Sequence, residues 1–219
     1  MTDVSAALPP LLTISLFAGV HIAVNDQPVP PWPRTKARAL LAYLALASAQ
    51  PVARTTLCDL LWLGYAANTA RMSLRRALAD LRSYLAPFDF IRTDYHTVQL
   101  ALNTDAVWCD VLHFEQLLDE CQRHIHRTIT SCPACQARLR VAHSLYKADF
   151  LATLPPVDSP PFKAWVQAQR SRLATRYAEL QHDLCHAVLP LGNLPPPQTS
   201  LVGRTAELAH LRAYLTHPG

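Results

Sequence analysis

Between residues 68 and 85 the chain writes one helical face in leucine and alanine and another in arginine. Ala70, Leu74, Ala77, Leu78, Leu81 and Leu85 recur at helical spacing and define an apolar stripe. Met72, Arg75, Arg76, Ala79 and Ser83 fall on the other side, with Arg71 and Arg82 on a flank. Asn68 is the expected N-cap. A few residues on, Phe90-Ile-Arg-Thr-Asp94, a Tyr95-His96 turn and Thr97-Val-Gln-Leu-Ala-Leu102 read as a β-hairpin. An arginine-bearing helix followed at once by a hairpin is the order of parts in a winged helix. There the helix enters a DNA major groove and the hairpin lies against a phosphate backbone. A charge run taken alone is more often a solvated face, so the neighbouring elements have to decide.

They agree with the winged helix. Leu12-Thr-Ile-Ser-Leu-Phe17 alternates, Val20-His-Ile-Ala-Val24 follows, and Asn25-Asp26 supplies a turn before Gln27-Pro-Val-Pro. Helices are expected over residues 35–47 and 54–63, ahead of the arginine helix. After the hairpin the pattern becomes helical throughout and contains no convincing strand. Asp110 is the expected N-cap of a helix carrying Val111, Phe114, Leu117 and Leu118. A second helix is expected over 133–146 and a long one from 161 to about 188. Pro195-Pro-Pro197 reads as a stiff linker, and residues 202–215 as a short amphipathic helix.

Charge follows the same division. Residues 34–92 hold nine Lys or Arg against three Asp or Glu, whereas residues 106–150 hold five of each sign. A basic excess concentrated on the segment with the arginine helix is the footprint of a phosphate-binding surface. The longest apolar stretch, residues 39–47, is too short to span a bilayer, and no base precedes Arg34. A cytoplasmic protein is therefore expected, with no membrane partner. Its six cysteines are expected to be reduced or metal-bound. The five glycines are too dispersed for a Walker A or Rossmann phosphate loop, and no nucleophile elbow or metalloprotease helix is present. An enzyme is not expected.

In combination these residues resemble the Streptomyces antibiotic regulatory protein class of transcriptional activators. Leu16-Phe17-Ala-Gly19, Lys36-Ala-Arg-Ala-Leu-Leu-Ala-Tyr-Leu-Ala-Leu46 and Leu60-Leu-Trp62 resemble its response-regulator-type winged helix. Ser73-Leu-Arg-Arg-Ala-Leu-Ala-Asp-Leu-Arg82 and Thr93-Asp-Tyr-His-Thr-Val98 are similar to its recognition helix and wing. Trp108 with Asp110-Val-Leu-His-Phe-Glu115, and Leu145-Tyr-Lys-Ala-Asp-Phe-Leu151, resemble its bacterial transcriptional activation domain. Residues 194–208 resemble the lead-in to the ATPase domain of large members, but the phosphate loop does not follow. Ala148 stands where the class usually has Gly, so a different turn is expected before Asp149.

The resemblance implies an α+β winged helix-turn-helix domain at 8–105 and an all-α, tetratricopeptide-like domain at 106–190. A linker and truncated ATPase-like lead-in would occupy 191–219. It implies an activator that binds double-stranded promoter DNA at direct repeats, with dimerisation and RNA polymerase contact through the helical domain. The alternative is a helical-repeat protein-interaction scaffold without specific DNA binding.

Met72, Arg75, Arg76 and Ala79 are the candidate base contacts. Arginine can reach guanine O6 and N7 with two parallel hydrogen bonds, and methionine can touch a thymine methyl. Arg34, Lys36, Arg54, Thr55, Arg71, Arg82, Arg92, His96 and Thr97 are candidate backbone contacts. Trp62, Trp108 and Trp165 read as packing anchors rather than stacking platforms. The series Cys121-x2-His124-x-His126-x5-Cys132-x2-Cys135 has the spacing of a zinc site closing a helical hairpin. Buried small residues beside a surface histidine account for it equally simply, and no metal or cofactor is expected.

Overall fold

Asn25 and Asp26 both take positive φ, 49° and 63°, which suits a two-residue hairpin turn. They join β2 (His21–Val24) to β3 (Gln27–Pro28), and β2 also pairs antiparallel with β1 (Leu12–Ser15). The computed structural model describes residues 11–30, 33–47, 50–100, 107–125 and 128–185. The expected lead-in at 191–219, the helix at 202–215, His126 and the last two residues of the expected wing strand lie outside the described residues.

Three helices follow the first sheet. α1 (Thr35–Leu46) is the central one, burying Ala37, Ala39, Leu40, Leu41, Ala42, Leu44 and Ala45. α2 (Arg54–Trp62) buries Leu57, Cys58, Leu61 and Trp62. α3 (Ala67–Leu85) buries Ala70, Leu74, Ala77, Leu78, Leu81 and Leu85, the six residues of the expected stripe. Each leucine so enclosed contributes about 1.5–3 kcal/mol relative to exposure. The helix begins two residues earlier than expected, with Ala66 rather than Asn68 at the N-cap position and no side-chain cap. Asn68 instead accepts a hydrogen bond from Arg71 at 3.3 Å. A second sheet of order β4-β6-β5 closes this region, from β4 (Val52–Ala53), β5 (Ile91–Thr93) and β6 (Thr97–Leu100).

The region beyond the hairpin is not wholly helical. β7 (Val107–Cys109) runs parallel to β1, pairing Leu12 with Val107 and Ile14 with Cys109, so the first sheet has the order β3-β2-β1-β7. Three residues without apolar alternation carry no strand signal of their own; the open edge of β1 supplies the reason for pairing. α4 (Asp110–Arg123), a 3-10 turn (Ile129–Ser131), α5 (Pro133–Leu145) and α6 (Pro160–Cys185) complete the described chain. The mixed architecture, two small sheets and six helices among the described residues, is compatible with a winged helix followed by a helical region. No helix among the described residues is long and apolar enough to cross a membrane.

The two regions meet along one short piece of backbone. Asp110 is not the N-cap of α4, a position held by Cys109. Its buried carboxylate accepts the amides of Leu16 (2.8 and 2.9 Å), Phe17 (3.1 Å) and Val111 (2.7 Å). From the opposite side Ala18 donates to Asp149 O, while Leu151 donates to Leu16 O and Thr153 to Ala18 O. Phe17 fills the space between, 5.5 Å from the Phe114 ring and 4.7 Å from Tyr146. Ala148 has no positive φ; Leu151 does, at 53°. Ala148 therefore carries no left-handed strain.

α6 is tied to α1 and α2 as well. Ser159 Oγ donates to Leu60 O at 2.6 Å, satisfying a carbonyl near the end of α2. Trp165 packs on Tyr43 of α1 (5.0 Å) and Phe150 (5.6 Å).

Candidate nucleic-acid interface

Burying the leucine stripe of α3 against α1 and α2 forces the opposite face of that helix outward. Met72, Arg75, Arg76 and Ala79 are all exposed, Met72 by 59%. Among the described residues nothing forms a hydrogen bond or ion pair with Arg75 or Arg76. Two adjacent guanidinium groups held on a helix, neither in an ion pair, present a preorganised donor array. A helix of 19 residues is about 28 Å long, enough to cross a major groove.

The wing beside it is built by Asp94. Its carboxylate accepts the amides of His96 (2.7 Å) and Thr97 (2.6 Å) and the hydroxyl of Thr97 (2.7 Å). Those bonds, led by the one from the Thr97 hydroxyl, hold the carboxyl below its ordinary range. The turn leaves Tyr95 86% exposed at the tip, edge-on to His96 at 4.8 Å.

Between α2, the first half of α3 and the wing tip lies an open cleft of about 890 Å³, lined among others by Arg54, Thr55, Arg71, Arg75 and His96. Asp59 and Asp94 are the acids on its wall. Leu63 and Tyr65, in the turn between α2 and α3, also line it and are more than half exposed. Sequence reasoning passed over these two and Tyr95. Their only signal was a bulky apolar residue in a turn with no periodic partner.

The other candidates divide by what they already touch. Arg92 is exposed on β5, on the outer side of the wing. Arg54 uses Nε on Asp94 O (3.1 Å), and Thr97 is engaged by Asp94. Arg34 forms a 3.0 Å ion pair with Asp80 whose angles are not those of a hydrogen bond. Lys36 lies over the rings of Trp62 (5.6 Å) and Tyr65 (5.0 Å), and burial pushes its ammonium below the ordinary lysine value. Trp62 is itself only 6% exposed, a packing residue. Arg82 donates to Ile91 O (3.2 Å) and Thr93 Oγ1 (2.6 Å), fastening α3 to the wing.

The cysteine series comes together away from this surface. His124 Nδ1 lies 3.2 Å from Cys135 Sγ and 3.5 Å from Cys132 Sγ, and Cys121 Sγ donates to Cys135 O at 3.7 Å.

Comparison with known proteins bears on the fold. No protein-family model matches the chain, and no curated protein matches it. A solved structure of Mycobacterium tuberculosis EmbR, in complex with a low affinity phosphopeptide, is similar with a TM-score of 0.62 and 19% sequence identity. The match covers 78% of this chain and 44% of that one, so this chain spans less than half the length of the structure it resembles. The likeness is one of fold.

Proposed function

We propose that the protein is a sequence-specific DNA-binding transcriptional activator. The observation that carries this reading is the outward face of α3, where Arg75 and Arg76 stand without an ion-pair partner beside a wing and a cleft that Arg54 and Arg71 also line. In the proposed complex α3 enters the major groove. Arg75 and Arg76 read base edges, Met72 and Ala79 allow close apolar approach, and Arg54, Thr55, Arg71, Arg92 and His96 meet phosphates. The helical region, in this reading, carries dimerisation on direct repeats and contact with RNA polymerase. No chemical step is assigned to the chain.

The test begins with bound sequences selected from random duplex DNA by the full chain. Arg75→Ala and Arg76→Ala should each cost about 1–3 kcal/mol on the selected site and narrow the gap to random DNA. Arg71→Ala should weaken both DNAs equally and lower the salt slope by about one. Unchanged site preference in both Arg75→Ala and Arg76→Ala would overturn the assignment of this face. Release from heparin resin at low salt would favour the protein-interaction scaffold instead.

A further inference from the structure

α4 ends and α5 begins with a matched pair of soft donors. Cys121 and His124 are three apart at the close of α4, and Cys132 and Cys135 are three apart at the opening of α5, so each pair shares a helix face. The connection between the helices folds back through the 3-10 turn and brings three of the four donors together, with Cys121 beside them on Cys135 O at 3.7 Å. His124 Nδ1, Cys132 Sγ and Cys135 Sγ all lie within 4.8 Å of one another. The two nitrogen–sulfur distances are 3.2 and 3.5 Å. Zinc bound tetrahedrally, at about 2.3 Å from sulfur and about 2.0–2.1 Å from nitrogen, sets such neighbours roughly 3.6 Å apart.

Burial alone does not explain the arrangement. Cys121 and Cys135 are fully buried, as small apolar residues would be. His124, however, is exposed and Cys132 is half-buried, yet both turn towards Cys135. An exposed imidazole gains little from two thiols, which are weak hydrogen-bonding partners compared with water. Two thiolates and an imidazole around one point suit a borderline-soft, tetrahedral ion.

We propose that His124, Cys132 and Cys135 bind a structural Zn²⁺ ion, with Cys121, already hydrogen-bonded to Cys135, as the fourth ligand. The ion pins the end of α4 to the start of α5, so the helical hairpin is closed by a metal in addition to its apolar contacts. The site is closed rather than catalytic. It stands apart from the α3 face and does not depend on DNA binding.

The full chain, purified under reducing conditions, should contain about one zinc per molecule by elemental analysis, and so should Cys185→Ser, which alters an exposed cysteine outside the cluster. The Cys132→Ser/Cys135→Ser double variant should contain none. Because that variant alters the buried Cys135, Co²⁺ titration of the metal-stripped wild type gives a reading independent of its folding. One equivalent should produce the intense visible bands of tetrahedral cobalt and a thiolate charge-transfer band. Cys121→Ser should lower that charge-transfer band by about a third, as loss of one thiolate in three requires; an unchanged band overturns the assignment of the fourth ligand. A stripped protein that takes up no stoichiometric Co²⁺ or Zn²⁺ overturns the site altogether. So does a folded double variant that keeps its metal, or a Cys132–Cys135 disulfide persisting under reductant.

Discussion

On α3, Arg75 and Arg76 point into solvent with no acid paired to them, whereas Arg138 of α5 and Arg170, Arg172 and Arg176 of α6 are turned onto the protein itself. Arg138 reaches Glu120 at 3.1 Å, Arg176 reaches Asp119 at 2.6 Å, and Arg172 pairs with Glu115. Arg170 donates to the carbonyls of Phe150 (2.8 Å) and Leu151 (3.0 Å). One residue type therefore plays two parts in one chain, and the local supply of acids decides which. α4 carries the carboxylates of Glu115, Asp119 and Glu120, so Arg138, Arg172 and Arg176 become cross-links. α3 has only Asp80, which Arg34 takes.

If the division is real, inward groups should govern stability and outward ones binding. The largest effect belongs to Asp110, where the regions join. Asp110→Ala leaves the amides of Leu16, Phe17 and Val111 without their acceptor and should cost about 3 kcal/mol in chemical denaturation. It should lower the unfolding midpoint of both regions together. Separate melting of the winged helix and the helical region in this variant would break the comparison at its root.

Arg82→Ala sharpens it, because this α3 arginine behaves like those of the helical region. Losing its bonds to Ile91 O and Thr93 should cost about 1–2 kcal/mol of stability. Binding to specific and random DNA should fall together, since the wing shifts while base readout persists. Arg75→Ala, by contrast, should leave the melting midpoint within about 1 °C of wild type, as surface substitutions generally do. A smaller effect is expected of Arg172→Ala. Its ion pair is partly exposed, so about 0.2–1 kcal/mol of stability should be lost and nothing of DNA affinity.

Two aspartates give the comparison a pH signature of opposite sign. The Asp94 carboxyl is held below its ordinary range, so the wing turn gains stability that is present above that range and lost as pH falls through the depressed value. Burial pushes the Asp110 carboxyl up against the pull of the three amides, so the folded state keeps its proton longer than the unfolded one. Its contribution is greatest in acid and declines as pH rises through the interval above the ordinary value. Side-chain carboxyl shifts followed by NMR through acid titration should show Asp94 titrating below the other exposed aspartates and Asp110 above them.

Periodicity was a reliable guide wherever one face had to be buried. The stripe on α3 was legible residue by residue, because six apolar positions at helical spacing have only one way to reach a core. Helix ends were legible to within a few residues. What stayed hidden depended on partners far along the chain. β7 exists because β1 has an open edge, and Val107-Trp-Cys109 carries no pattern that announces it. Asp110 looked like a local cap, while its real partners are Leu16 and Phe17. Arg82 looked like its neighbours on the helix, and only the position of β5 distinguishes it. The cysteine spacing was visible, but the convergence of His124 with Cys132 and Cys135 needed the turn between two helices.

The parallel pairing of β1 with β7 also sets an order of events during synthesis. β2 emerges directly after β1 and can form its hairpin at once. The other edge of β1, and the amide of Leu16, must wait for Asp110 and its neighbours, 94 residues later. At ribosomal rates of about 5–20 residues per second that interval is roughly 5–20 s. Throughout it Leu12, Ile14 and Leu16, all fully enclosed in the finished protein, belong to a sheet with one side unguarded. The nascent chain is most exposed to wrong strand pairing in that interval, and the arrival of β7 ends it.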